Sequence, residues 1–153
     1  MRILAASAVL IGLAWHGPAL AATREDLGDA VVTASIGEPS TLVPILAADS
    51  ASQSICGLLF NGLLKYDKTL RLTGDLAERW DVLDGGLTLR FHLRQNVRWH
   101  DGAPFTADDV RFTYESLINP AVRTPYRGDF ERVRALTVLD PWTVEIFYAE
   151  PFA

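Results

Sequence analysis

A histidine and three aspartates lie within thirteen residues of the sequence, in the segment RWHDGAPFTADDV at positions 98–110. Side chains of these types could bind a metal ion or form a pair for general acid–base catalysis. A metal ion would need further ligands, which the neighbouring sequence does not supply. Asp108 and Asp109 are adjacent, and adjacent residues of a helix point about 100° apart, so they do not form one paired-carboxylate site. We therefore predict no catalytic residue, no metal ligand and no cofactor for this chain.

An exported hydrolase that uses His100 with Asp101 is the alternative from another class of protein. Residues 22–153 contain two histidines, His92 and His100, and neither a G-x-S-x-G nor an H-E-x-x-H motif. These observations favour a protein that is not an enzyme.

The same segment is accounted for by the beginning of a helix. Thr106 is the predicted N-cap, since its hydroxyl can accept a hydrogen bond from a free backbone N–H group. Asp108 and Asp109 then fall in the first turn, where the positive end of the helix dipole favours carboxylates. Phe105 and Val110 have the spacing of a hydrophobic staple. These residues are therefore predicted to build the fold rather than to do chemistry.

The later part of the chain predicts antiparallel strands, and with the helices a mixed α+β fold. A strand over 87–93 alternates apolar and polar residues, so one face is predicted to be buried and the other solvated. On the solvated face, His92 is predicted to be a solvated cross-strand side chain. The glycines of LDGG join this strand to one around Trp80, and the dipeptide at 140–141 makes a second hairpin turn. Trp80 and Trp99 are predicted to pack in the core.

The earlier part of the chain predicts a strand followed by a helix. The β-rich run Ala30–Ser35 is the predicted strand. The helix is predicted to begin at Ser50, which forms a capping box with Gln53. Cys56, the single cysteine, excludes an intramolecular disulfide and is predicted to be a buried, inert thiol.

The N-terminus has the pattern of a cleavable export signal. Arg2 precedes an uncharged apolar run at positions 3–15, and an A-x-A cleavage pattern follows at 19–21. The run is shorter than the roughly 20 residues that a membrane span requires. No cysteine stands at the cleavage point, so a lipoprotein is not predicted. We expect residues 1–21 to be removed and residues 22–153 to be periplasmic, monomeric and without a membrane span.

The charge of the chain excludes one class of partner. Its formal net charge is −5, and it has no cluster of lysine and arginine. Nucleic-acid binding depends on a basic patch that contacts phosphates. A nucleic-acid partner is therefore not predicted.

One long stretch carries a family resemblance. The sequence GDLAERWDVLDGGLTLRFHLRQNVRWHDGAPFTADDVRFTYE, from Gly74 to Glu115, resembles the signature of the family 5 extracellular solute-binding proteins. These are the secreted receptors of peptide, dipeptide and nickel ABC transporters. The segments EPSTLVP, LFNGLLKYD, INPAVRTPY and VLDPWTVEIFYAEPFA agree, so the resemblance covers Ala30 to Ala153. One departure is Val43, where many relatives have aspartate.

The resemblance implies a fold of the periplasmic-binding-protein type II kind, in which two mixed α/β lobes close around a ligand by a hinge motion. Family members are considerably longer than this chain. Residues 22–153 are therefore expected to be an N-terminal part, with the start of one lobe and the small extra domain. The principal ligand-anchoring residues are expected to lie beyond residue 153.

The function that the resemblance implies is extracytoplasmic capture of di- to oligopeptides for an ABC importer. The implied partners are the peptide or a related small solute and the permease subunits of the inner membrane. A nickel-, haem- or sugar-binding member of the same family is an alternative, and an inactive truncated gene product is another.

Four residues are the ligand-binding candidates that the resemblance implies. Ala48, Asp49 and Ser50 follow the LVP segment, which borders the cleft in relatives. Tyr126, in TPY, matches an aromatic residue that lines the peptide site of oligopeptide-binding relatives. The alternative for Asp49 is a carboxylate that only begins a helix, and the alternative for Tyr126 is a loop aromatic packed on the small domain.

Overall fold

The computed structural model of the protein describes residues 37–151, so the predicted signal at 1–21 and the predicted strand Ala30–Ser35 lie outside the described residues. No helix of the described part is both long and apolar enough to cross a membrane. The helices and strands in chain order are α1 (Ser50–Leu59), β1 (Leu64–Tyr66), β2 (Leu72–Gly74), β3 (Ala77–Leu83), β4 (Thr88–Leu93), α2 (Ala107–Ile118), β5 (Val133–Asp140) and β6 (Thr143–Tyr148). Short 3₁₀ turns lie at Pro44–Leu46, Asp84–Gly86 and Arg127–Phe130.

Strands β3 to β6 form one antiparallel sheet in the order β3-β4-β6-β5, and β1 pairs with β2 in a separate sheet. Both predicted hairpins are confirmed, because β3 pairs with β4 and β5 pairs with β6. The first turn uses Gly85 and Gly86, whose φ values of 64° and 96° are readily adopted by glycine. Both edge strands contain register shifts, β3 near its start and β5 near each end.

The buried face of this sheet forms the core with the beginning of α2. Phe91 and Leu93 of β4 and Val144 of β6 lie in one buried cluster with Phe105 and Ala107. The alternation predicted for the strand is thus confirmed at its centre. Its first residue departs from the pattern, because Leu87 ends the preceding turn and is 38% exposed.

The opposite face, predicted to be solvated, carries ion pairs between strands. Arg90 on β4 places two guanidinium nitrogens 2.6 and 2.7 Å from one oxygen of Glu145 on β6. His92 lies 2.8 Å from the Asp81 carboxylate on β3, with its side chain 21% exposed. The hydrogen bond with His92 is the main reason that the pKa of Asp81 lies below its ordinary value. The prediction of a cross-strand His92 is confirmed, and its side chain is partly rather than fully solvated, with Asp81 on β3 as its partner.

The two tryptophans have different environments. Trp80 is partly buried and packs against the core cluster, as predicted. Trp99 is 39% exposed and makes an edge-on contact with Phe105, whose ring centre is 5.8 Å away. The prediction that Trp99 packs in the core is therefore wrong. Trp99 begins a tight turn, in which its backbone carbonyl accepts a hydrogen bond from the Gly102 N–H and Gly102 has a φ of 90°.

The predicted start of α2 is confirmed, and Asp109 takes part in the cap itself as well as lying in the first turn. Thr106 is the N-cap and forms a capping box with Asp109. The Asp109 carboxylate accepts hydrogen bonds from the Thr106 backbone N–H at 2.7 Å and from its hydroxyl at 3.3 Å. Asp108 instead pairs with Arg111 at 2.8 Å, and Asp101 accepts from the Ala103 N–H. Within residues 37–151, no group of three His, Cys, Asp or Glu side chains could hold a metal ion.

The two neighbouring aspartates should therefore differ in their effect on stability. Asp109→Ala removes the side chain that completes the capping box with Thr106 and is expected to lower the free energy of unfolding by about 1–2 kcal/mol. Asp108→Ala is the matched control, since it removes a charge from the same turn but only an exposed ion pair, and should cost about 0.5 kcal/mol. Urea unfolding followed by circular dichroism measures both. Equal effects would mean that the helix dipole, not the cap, gives Asp109 its importance.

Candidate functional site

The segment before α1 is organised by Asp49. Asp49 is the N-cap of α1, and one oxygen of its carboxylate accepts a hydrogen bond from the Ser52 backbone N–H at 2.8 Å. The other oxygen accepts from the hydroxyls of Ser52 at 2.7 Å and Ser40 at 2.6 Å. The predicted capping box of Ser50 with Gln53 is wrong. The adjacent carboxylate is the stronger acceptor, so Ser50 becomes the first helical residue.

Ser52 was not predicted from the sequence, although it connects the chain at Thr41 to the start of α1 at Asp49. It is fully buried, and its hydroxyl accepts a hydrogen bond from the Thr41 backbone N–H at 3.2 Å. The D-x-x-S spacing of Asp49 and Ser52 was the available signal, because an N-cap side chain bonds to the third helical residue. One helical turn further on, Cys56 is buried, as predicted.

These hydrogen bonds keep Asp49 ionised. Those from Ser40 and then Ser52 hold the pKa of its carboxyl well below its ordinary value. The alternative in which Asp49 begins the helix is confirmed. At least one lone pair of each oxygen is occupied by these donors, so what the residue can offer a ligand is mainly its negative charge.

The stabilisation that Asp49 provides should depend on pH in a defined direction. Because its pKa is lower in the folded than in the unfolded chain, the stabilisation is complete above the unfolded pKa of about 4 and is lost as the pH falls below it. The difference in urea midpoint between wild type and Asp49→Asn should be largest near pH 7 and should narrow below about pH 4. Urea titrations at pH 7, 5 and 3 measure it. A difference that stays constant over this range would contradict the assignment.

Tyr126 reaches the same segment from far along the chain. Its hydroxyl donates a hydrogen bond to the backbone carbonyl of Ala47, 79 positions earlier. The hydroxyl also accepts one from the side-chain amide of Gln53 at 3.1 Å. The same amide lies 3.4 Å from the Ala47 carbonyl, so the three groups meet pairwise. The Tyr126 backbone N–H donates to the Thr124 hydroxyl at 3.1 Å. Tyr126 is thus attached to the segment before α1.

The structure therefore brings all four predicted ligand-binding residues to one place. Ala48 and Ser50 are exposed, whereas Asp49 and Tyr126 are partly buried. The exposed residues present a backbone edge and a hydroxyl, and the tyrosine presents an aromatic ring.

A separate apolar cavity of about 410 Å³ opens between the Pro44–Leu46 turn, α2 and strands β5 and β6. No pattern in the sequence indicated this cavity, and Phe112, one of its lining residues, is 71% exposed. Val43, the position that departs from the family pattern, also lines it. An opening of this size and polarity accommodates apolar groups. Its aromatic lining consists of Phe60, Trp99, Phe105, Phe112, Tyr114, Phe130 and Tyr148.

Comparison with protein families gives one match. Residues 71–153 match the sequence model of "Bacterial extracellular solute-binding proteins, family 5 Middle". The matched region begins one residue before β2 and includes the four-stranded sheet, α2 and Tyr126.

Individual proteins agree with this match. The glutathione-binding protein GsiB of Salmonella typhi is 35% identical over 136 residues, which are 89% of this chain and 25% of GsiB. The structure of the oligopeptide-binding protein AppA from Bacillus subtilis in complex with a nonapeptide has a TM-score of 0.72 and 31% identity, covering 75% of this chain and 23% of AppA. NikZ from Campylobacter jejuni, in complex with Ni(L-His), has a TM-score of 0.68 and 33% identity, covering 76% and 23%. The chain spans about a quarter of the length of the relatives that it matches.

Proposed function

Because the chain belongs to the bacterial extracellular solute-binding proteins of family 5, we propose that it contributes one wall of the peptide-binding cleft of an ABC importer's receptor. Family 5 proteins bind small solutes or peptides and act with ABC permeases, and they are substrate-binding proteins rather than enzymes. The fold is mixed α/β and matches periplasmic binding proteins over about 75% of the chain. Residues 22–153 would supply the start of one lobe and the small extra domain.

The observation that supports this proposal is the attachment of Tyr126 to Ala47. The family resemblance assigns Ala48–Ser50 and the TPY segment to the cleft, and the hydroxyl of Tyr126 holds these two distant parts of the chain together. Ala48 and Ser50 would offer backbone and hydroxyl hydrogen bonds to a peptide, and Tyr126 would offer its ring.

A nickel chelate is the second candidate solute. It is favoured by the similarity to NikZ, a protein whose structure contains Ni(L-His). Peptides are preferred for two reasons. AppA, with its nonapeptide, has the higher TM-score, and GsiB is named for glutathione, itself a small peptide.

The site of action follows from the family and the N-terminal pattern. The protein would be exported to the periplasm, lose residues 1–21 and deliver its solute to permease subunits of the inner membrane. N-terminal sequencing of the periplasmic protein should begin at Ala22. An intact Met1 on that protein would contradict cleavage.

A hybrid receptor tests the binding function. AppA from Bacillus subtilis is 39% identical to this chain over 115 residues, and that region of AppA can be exchanged for the matching residues of this chain. The hybrid is expected to bind a nonapeptide in titration calorimetry. Tyr126→Ala in the hybrid should weaken binding at least tenfold. Tyr66→Ala is the matched control, because Tyr66 is 70% exposed on β1, and it should leave the affinity unchanged.

Three titrants separate the candidate solutes. The nonapeptide, glutathione and Ni(L-His) are each titrated into the same hybrid. Binding of Ni(L-His) without either peptide would replace the peptide proposal by the nickel one. A hybrid that unfolds cooperatively but binds none of the three would contradict both.

A further inference from the structure

The hydroxyl of Tyr126 is engaged by the protein itself. A tyrosine hydroxyl has one hydrogen to donate and two lone pairs. The hydrogen is used by the Ala47 carbonyl, and one lone pair is used by the Gln53 amide. Ala47 is only 1% exposed, so its carbonyl belongs to the buried side of the segment. Tyr126 therefore has no hydrogen left to donate to a solute.

Gln53 completes the arrangement from α1. Its amide donates toward both the Tyr126 hydroxyl at 3.1 Å and the Ala47 carbonyl at 3.4 Å. It stands on the first turn of the helix that Asp49 caps, so it ties Tyr126 to the rigid part of the segment rather than to a free loop. The hydrogen bonds of Asp49 to Ser52 fix the rest of that turn. The segment that contains Ala48 and Ser50 is therefore held by Tyr126 at Ala47 and by Asp49 at the start of α1.

From this geometry we infer that Gln53 is a positioning residue and that Tyr126 contacts the solute through its ring, while its hydroxyl holds Ala48–Ser50 in place. The inference rests on the proposed function for the identity of the cleft, but the hydrogen-bonded group itself can be tested without a ligand. A ring face that offers no donor favours an apolar or cationic group of the solute beside it over a carboxylate.

Hydrogen exchange on the full chain tests the group directly. Tyr126→Phe removes the two bonds of the hydroxyl and Gln53→Met removes the two bonds of the amide, and each keeps the shape of the side chain. The amides of Ser52 and Gln53, which donate to Asp49, should exchange about tenfold faster in either variant. The two changes share the bond between Gln53 and Tyr126, so the effect of the double variant should be smaller than the product of the two single effects. The amides of β4 should be unaffected, which shows that the fold is intact. Tyr66→Phe is the matched control and should change nothing.

Further variants of Gln53 test whether the residue acts as a hydrogen-bond donor or only by packing. Gln53→Lys keeps an N–H donor at the end of a flexible chain and should restore most of the protection of the amides at positions 52 and 53. Gln53→Glu offers only acceptors to a carbonyl and a hydroxyl whose hydrogen is already used, and should behave like Gln53→Met. Equal exchange in the Lys and Met variants, or unchanged exchange in Tyr126→Phe, would overturn the inference.

Affinity for the nonapeptide, measured in the AppA hybrid, tests whether the Tyr126 hydroxyl holds the segment while the ring contacts the solute. If the hydroxyl only holds the segment, Tyr126→Phe and Gln53→Met should weaken binding by similar factors, within about threefold of each other. Tyr126→Ala should weaken it more, since it also removes the ring. A Tyr126→Phe loss at least tenfold greater than that of Gln53→Met would show that the hydroxyl contacts the solute. If the hybrid binds nothing while the exchange results hold, the proposed function fails and the positioning group stands.

Discussion

Gly74→Ala is expected to destabilise the protein by about 3 kcal/mol, a large effect for one methyl group. A Cβ atom at Gly74 would lie 2.3 Å from the backbone carbonyl oxygen of Ala77 and 3.1 Å from that of Glu78. Both neighbours are backbone atoms, so no side chain can move aside. The backbone between Gly74 and Ala77 is also held by hydrogen bonds from the Asp75 and Ala77 N–H groups to Leu63.

The clash would reach the core, because Ala77 is fully buried beside Phe91 and Leu93. Gly57→Ala is the matched control: it adds the same methyl group in the middle of α1, where a Cβ meets nothing within 4 Å. That change should stabilise the protein by about 0.5–1 kcal/mol, since alanine favours the helix. Urea unfolding of both variants gives the comparison. A Gly74→Ala midpoint equal to that of the wild type would contradict the close approach of β2 and β3.

Arg90→Leu is expected to have an effect of similar size by a different route. It removes the guanidinium group whose two nitrogens contact the Glu145 carboxylate, and the Glu145 side chain is only 11% exposed. A carboxylate left largely buried without its partner costs about 3 kcal/mol. The double variant Arg90→Leu/Glu145→Leu should recover most of that loss, because the pair is then replaced by apolar side chains across β4 and β6.

An exposed ion pair provides the comparison. Arg111→Ala breaks the pair with Asp108, in which the two side chains are 49% and 65% exposed, and should cost less than about 1 kcal/mol. The free energies of unfolding of the wild type and these three variants, measured in urea at pH 7, form one experiment. If Arg90→Leu costs no more than Arg111→Ala, the burial of Glu145 does not carry the energy that we assign to it.

The parts of the fold that depend on residues close together in the sequence were predicted. The turn that contains Gly85 needs a positive φ, and the α2 cap needs an oxygen at Thr106, so both left local signals. The start of α1 was misplaced because two adjacent residues, Asp49 and Ser50, can both cap a helix. The choice between them depends on Ser40, which lies nine positions away.

What the sequence did not reveal depends on contacts between distant elements. The partner of His92 is on the neighbouring strand, and the exposure of Trp99 depends on the course of the following turn. The family resemblance suggested that Ala48–Ser50 and Tyr126 both belong to a cleft. No local pattern could indicate that the Tyr126 hydroxyl reaches Ala47, or that Gln53 joins them, because that contact exists only once the chain has folded.

The register shifts in β3 and β5 have a consequence for how the protein behaves at high concentration. Within residues 37–151 these are the two edge strands of the four-stranded sheet, and an edge with regular, unpaired backbone groups is a template for a strand of another molecule. Each shift breaks that regular spacing and increases the local twist. Charged side chains at Glu78, Arg79 and Arg134 further oppose the approach of an identical edge. The sheet is thereby protected at both sides against edge-to-edge aggregation.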